Sequence, residues 1–169
     1  MNSQDPSHLP FFTRYTTLVT ETDLVGAMRA QITDLRRLLD TVDEANADRV
    51  HPPFAWTIKQ VLQHMIDTER VFGYRAMRFS RGDNLPLPGF DQDAYANAID
   101  VAPWRLADLV YEFEFLRNSH YLMFTHLPAD AWTRKGTASN LEWSVTDLAK
   151  AIIGHARHHL QIIEKRLQT

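Results

Sequence analysis

Three histidines in five residues, His155-Ala156-Arg157-His158-His159, are the groups in this chain best suited to chemistry. At ~100° per residue, His155 and His159 point in nearly the same direction, within about 20° of the line through Leu148, Ile152, Ile162 and Ile163. Two imidazoles stacked one turn apart on a buried helical face are costly unless hydrogen-bonded or metal-bound. His158 falls toward the edge of that face. The His-x-x-x-His pair therefore predicts a metal site, and a site needs a third ligand.

Periodicity leaves two candidates for that ligand. His64 lies at the border of the second helix's apolar stripe, whereas His120 falls within the stripe of the third, between Leu116 and Met123. Three imidazoles would leave a coordination position open for water or substrate. Imidazole also suits nickel, iron, cobalt and manganese. Ala156 stands where a His-Glu-x-x-His protease would carry its glutamate, so the helix brings no general base.

Glu69 sits on the apolar stripe of the second helix, where an unpaired carboxylate would be expensive. It is expected either to orient a ligand histidine or to form a buried pair with an arginine such as Arg75 or Arg157. Asp67 points away from the stripe and is expected in solvent, as are His8, His51 and His126. Arg75, Arg78 and Arg81 complement a helix C-terminus, with recognition of an anion as the alternative.

The chain has 169 residues, no cysteine, and a formal net charge of −3. That length suits one domain, read here as 1–169 with residues 1–20 as an N-terminal arm. The acidic balance argues against a nucleic-acid surface, and no apolar run spans a bilayer. The N-terminus lacks the basic and apolar regions of a secretory signal, so a cytoplasmic protein is expected. Without cysteine, a metal must use imidazole, carboxylate or water, and thiol chemistry must borrow its thiol.

The elements that position these groups are helical. Stripes predict helices over Asp23 to Val42, Thr57 to about Gly82, Pro103 to Pro128, and Ser144 to about Leu167, with no convincing strand. The first stripe is Leu24, Met28, Ile32, Leu35 and Leu39; the third is Leu106, Val110, Phe113, Leu116, Met123 and Leu127. Thr57 with Gln60 and Ser144 with Asp147 echo each other as caps and cap partners. Four such helices predict an all-α four-helix bundle. The breaker-rich segment between helices two and three, with a helical turn over Asp91 to Ala98, is long enough to cross over.

Several segments together resemble the DinB-like (DinB/YfiT-like) family of metalloenzymes. They are Trp56-Thr57-Ile58-Lys59-Gln60-Val61-Leu62-Gln63-His64, Asp67-Thr68-Glu69-Arg70, Pro88-Gly89-Phe90-Asp91-Gln92-Asp93-Ala94, and Trp143-Ser144 leading to Gly154-His155-Ala156-Arg157-His158-His159. The resemblance implies up-down-down-up topology, a homodimer, and a divalent metal, zinc or nickel foremost, on His64, His155 and His159. It thereby selects His64 over His120. It also implies a thiol-dependent S-transferase using bacillithiol, mycothiol or glutathione on a small electrophilic substrate. The alternatives are metal-assisted hydrolysis with Glu69 as base, and a non-catalytic stress-response or dimerisation module.

Overall fold

The computed structural model describes residues 11–168. Four long helices dominate: α2 (Leu24–Leu39), α4 (Ile58–Ser80), α6 (Leu106–Thr125) and α7 (Val145–Leu167). Shorter helices α1 (Phe11–Thr16), α3 (Glu44–Ala47) and α5 (Gln92–Ala98) fill the connections. Both expected capping boxes form, Thr57 with Gln60 and Ser144 with Asp147. Each satisfies two of the backbone groups that a helix start leaves without partners. Asp23 caps α2 by accepting from the Gly26 N–H at 2.8 Å, and Asp91 caps α5 through Asp93 and Ala94.

α6 begins three residues later than the Pro103 start that the sequence suggests. Trp104 N–H donates to Val101 O in a turn, and the Leu106 N–H is satisfied from a distance by Glu44 of α3, at 2.9 Å. No local residue signals such a cap. The expectation of no strand is corrected by a small hairpin, β1 (Lys135–Ala138) with β2 (Leu141–Ser144). Ser139 and Asn140 turn it with φ of 52° and 61°. Two positive φ values in a two-residue loop suit the twist of a tight hairpin. Four-residue strands are too short to register as an alternating pattern.

Cross-helix pairs fix the direction of every long helix. Arg36 meets Glu114 while Gln31 meets Arg117, so α2 and α6 run antiparallel. Glu69 meets Arg117 and Arg70 meets Glu112, on α6 running the same way as α4 from Lys59 beside Ala102. Phe72 packs on Trp143 and Arg166 reaches Trp56, so α7 is antiparallel to α4. Gln31 donates to Ile153 O at 2.8 Å from the neighbouring helix. The order up, down, down, up is the expected one.

The crossover it requires carries α5 against α4 and is tied to the hairpin, where Leu87 N–H donates to Thr137 O and Ser139 N–H to Leu87 O. Two apolar clusters make the core. One gathers Phe72, Phe79, Phe124, Trp143 and Ile152; the other gathers Leu62, Met65, Phe113, Ala156 and Ile163. His155 and His159 fall where α7 passes from the first cluster to the second. The arm's α1 packs along α7, with residues 1–10 outside the described range.

Candidate metal centre

Helix α4 brings His64, and α7 brings His155 and His159, to a single point inside the bundle. The three rings are 4%, 2% and 8% exposed. His64 Nε2 stands 3.0 Å from His155 Nε2, and one candidate ligand atom from each ring lies within 4.8 Å of the others. Ring centroids are 4.9 Å apart for His64–His155 and for His64–His159, and 4.4 Å for His155–His159. Nitrogens sharing one tetrahedral ion at about 2.0–2.1 Å would stand roughly 3.3 Å from each other. The donor set is therefore of the right size.

The chemistry of the donors points the same way. Both ring nitrogens of His159 are sealed from solvent and make no hydrogen bond among the described residues. Buried polar nitrogens without partners are rare and costly. Burial lowers the pKa of His64 to about 4 and carries those of His155 and His159 well below the usual histidine value, the crowding of neighbouring imidazoles adding to the effect. The rings are thus neutral at neutral pH, the state in which a nitrogen lone pair can bind a cation.

The model of the DinB superfamily matches residues 27–163. The chain belongs to the DinB superfamily. Among solved structures, the fold is similar to that of YfiT from Bacillus subtilis, with a TM-score of 0.78 at 14% identity. The likeness covers 86% of this chain and 84% of YfiT, which is described as "a probable metal-dependent hydrolase with an unusual four-helix bundle topology". No curated protein matches this chain.

In this DinB-superfamily chain the other candidates go elsewhere. His120 stays outside the triad: its Nδ1 lies 3.0 Å from Glu69 Oε1, and its ring fills the space where a Cβ on Gly73 would sit. Glu69 is buried and paired, but with neither Arg75 nor Arg157. It takes a two-pronged pair from Arg117, at 2.8 and 2.9 Å, and Arg117 also reaches Gln31 and the Ile152 carbonyl. The guanidinium and the His120 ring hold the Glu69 carboxyl below its ordinary pKa against the opposing effect of burial. Among the described residues it bonds to Arg117 and His120 and to none of His64, His155 and His159.

Two further expectations are corrected. His51 is buried, its ring bonded to Asn46 O and Arg49, and Asp67 is half-buried, accepting from Gln63 at 3.1 Å. The arginines of α4 divide: Arg78 pairs with Asp83 near the helix end, whereas Arg75 is buried.

Sequence reasoning missed the groups around the triad. Tyr15 of α1 sets its ring edge-on to His155 at 5.0 Å, and burial pushes its phenol up to about 12. That approach depends on Gly154, because a Cβ there would lie 1.9 Å from Tyr15 O. A glycine inside a helical pattern is the signal that could have revealed it. Trp56 packs on His64 at 5.2 Å, and Asp93 of α5 is the carboxylate whose charge acts on that ring. Phe72 lies 6.2 Å from His155 and lines a cavity of about 300 Å³ with Phe90, Leu141 and Trp143.

Proposed function

We propose that this chain is a divalent-metal-dependent enzyme whose ion, zinc or nickel, is held by His64, His155 and His159. Its reaction would be transfer of a low-molecular-weight thiol, of the bacillithiol, mycothiol or glutathione class, to a small electrophile. One observation carries the metal reading: three neutral buried imidazoles converge, and one of them has no other partner for either nitrogen among the described residues. A divalent ion bound there would supply the charge that acidifies a thiol or a water molecule at neutral pH.

The chain's own residues do the rest. The triad's walls, Tyr15, Trp56 and Phe72, exclude water from the rings, and Phe72 adjoins the cavity in which an electrophile would sit. Glu69 is engaged with Arg117 and His120, so it is withdrawn as the base that hydrolysis would use. With no cysteine in the chain, the sulfur nucleophile has to be a cosubstrate. The proposal includes the homodimer and the cytoplasmic setting expected from the sequence; sedimentation velocity tests the dimer.

Incubating the metal-loaded protein with a thiol panel and an alkylating electrophile tests the reaction. The expected result is a thioether product whose formation stops on chelation and in His155→Ala. Hydrolysis is the second reading, favoured by the likeness to YfiT and by the Asp93 carboxylate acting on His64. Turnover of an ester or amide without thiol would establish it instead. Equal metal content in wild type, His155→Ala and His159→Ala would defeat both and leave a non-catalytic module.

A further inference from the structure

Two buried cations of this bundle are answered by carboxylates: Lys59 meets Glu44 and Asp48, and Arg117 meets Glu69. Buried Arg166 reaches the Trp56 carbonyl and the Phe54 ring at the far end of α7. Arg75 is buried in a different setting. It is 3% exposed, yet among the described residues no acidic group stands within ion-pair distance. Its Nη2 donates to Pro88 O and to Ser139 Oγ, each at 2.9 Å, and its guanidinium carbon lies 5.8 Å from the Phe72 ring centre. Two neutral oxygens and a ring leave a buried positive charge largely unanswered.

The location of that charge suggests what answers it. Arg75 lines the cavity beside the triad, whose other walls are mainly Phe72, Phe90, Leu141 and Trp143. Its Nε and Nη1 make no hydrogen bond among the described residues and are not sealed from solvent. The cavity is therefore an apolar, aromatic chamber with one cation in its wall and donors to spare. A planar guanidinium offers two parallel N–H groups, the match for a carboxylate.

We propose that this cavity binds a small carboxylate-bearing molecule with an aromatic or aliphatic body, Arg75 anchoring the anion and the aromatic walls burying the body. Arg75 is the anchor, and the Phe72 ring lies 5.8 Å from its guanidinium carbon and 6.2 Å from the His155 ring. The inference deepens the proposed function by naming the substrate class, and it rests on the cavity being the substrate chamber of that centre.

The test uses full-length protein stripped of metal by chelation, so that a carboxylate cannot bind through an ion. 3-Phenylpropanoate and its neutral amide, 3-phenylpropanamide, are titrated by calorimetry or saturation-transfer NMR. Wild type is expected to bind the acid about tenfold more tightly than the amide, the scale of one charge-assisted hydrogen-bonded pair. Arg75→Met should bring the two ligands to parity, a result that a merely structural role for Arg75 would not produce. Leu141→Trp, which fills the cavity and leaves Arg75 in place, should lose both ligands even if Arg75→Met fails to fold.

Equal binding of acid and amide by wild type, or binding of neither, overturns the proposal. So does an acid preference that survives in Arg75→Met or appears only after metal is restored. Metal content of the histidine variants is read separately, so failure of the triad and failure of the anion site give different results.

Discussion

At the scale of single residues, His159 is the group whose behaviour says most. A ring with both nitrogens buried and, among the described residues, without hydrogen-bond partners is a cost that an ion would remove. For the proposed ion, removing one of the three imidazoles is expected to lower affinity at least ~100-fold. His64→Ala, His155→Ala and His159→Ala should therefore purify nearly metal-free, while His120→Ala should keep its metal; elemental analysis by mass spectrometry reads both. The metal-free protein should also be sensitive to mild acid. Burial depresses all three histidine pKa values, that of His64 to about 4, so between the ordinary histidine value and the folded one the unfolded chain binds more protons. Stability is then complete above about pH 6.5 and falls as the pH drops through that window, by up to ~1.4 kcal/mol per pH unit for each ring. Urea midpoints of chelated protein at pH 7.5 and 5.5 measure the slope, and added zinc should raise both midpoints without removing it, since the folded rings carry no proton in either state.

Between elements, the buried polar knot of Glu69, Arg117 and Gln31 does what apolar stripes cannot. Arg117 is fully buried on α6 and joins Glu69 of α4, Gln31 of α2 and the Ile152 carbonyl of α7, so one guanidinium touches all four long helices. Breaking a buried pair by removing one partner costs about 3–5 kcal/mol, because the survivor is left charged and unpaired. Arg117→Met should lose that much in chemical denaturation, and the Glu69→Gln/Arg117→Met double variant should recover a large part of it. The seam between α1 and α7 is as exacting. Gly154→Ala would drive a methyl into Tyr15 O, so α1 must lift away from the triad. We expect a loss of about 1–3 kcal/mol and faster exchange of the α1 amides.

For the whole molecule, the parallel pairing of α4 with α6 sets the demand on the connection. α4 has 23 residues and rises about 1.5 Å per residue, so the chain must return along roughly 35 Å before α6 can start beside the start of α4. At about 3.3–3.6 Å per residue that takes at least ~10 extended residues. The natural connection is longer and spends the surplus on α5 and on the strand-like Leu87 contact with the hairpin, and its Phe90 and Gln92 line the cavity. Replacing residues 82–105 by a six-residue Gly/Ser linker should abolish the cooperative helical melt seen by circular dichroism. A linker of about twenty residues should restore the bundle but not the cavity.

Much of this protein is determined locally and could therefore be read along the chain. Helix starts at Thr57 and Ser144, the α5 turn behind Asp91, and the shared face of His155 and His159 all depend on residues within about one turn of each other. The third imidazole of the cluster is not local: periodicity offers His64 and His120 equally, and only the packing of α4 against α7 sends one ring to His155 and His159 and the other to Glu69. The buried face of α6 departs from its expected stripe for a related reason. Val110, Leu116 and Met123 are only partly buried while Arg117 is fully so, because Tyr111, Phe115 and Leu122 make the helix apolar around much of its surface and leave its stripe undefined. Gln31 likewise takes the buried place expected of Ile32. Short-range spacing settles where backbone and side chain agree within one helix. Which neighbour a buried charge or an imidazole meets depends on how four helices rotate against one another, and that is decided only when they pack.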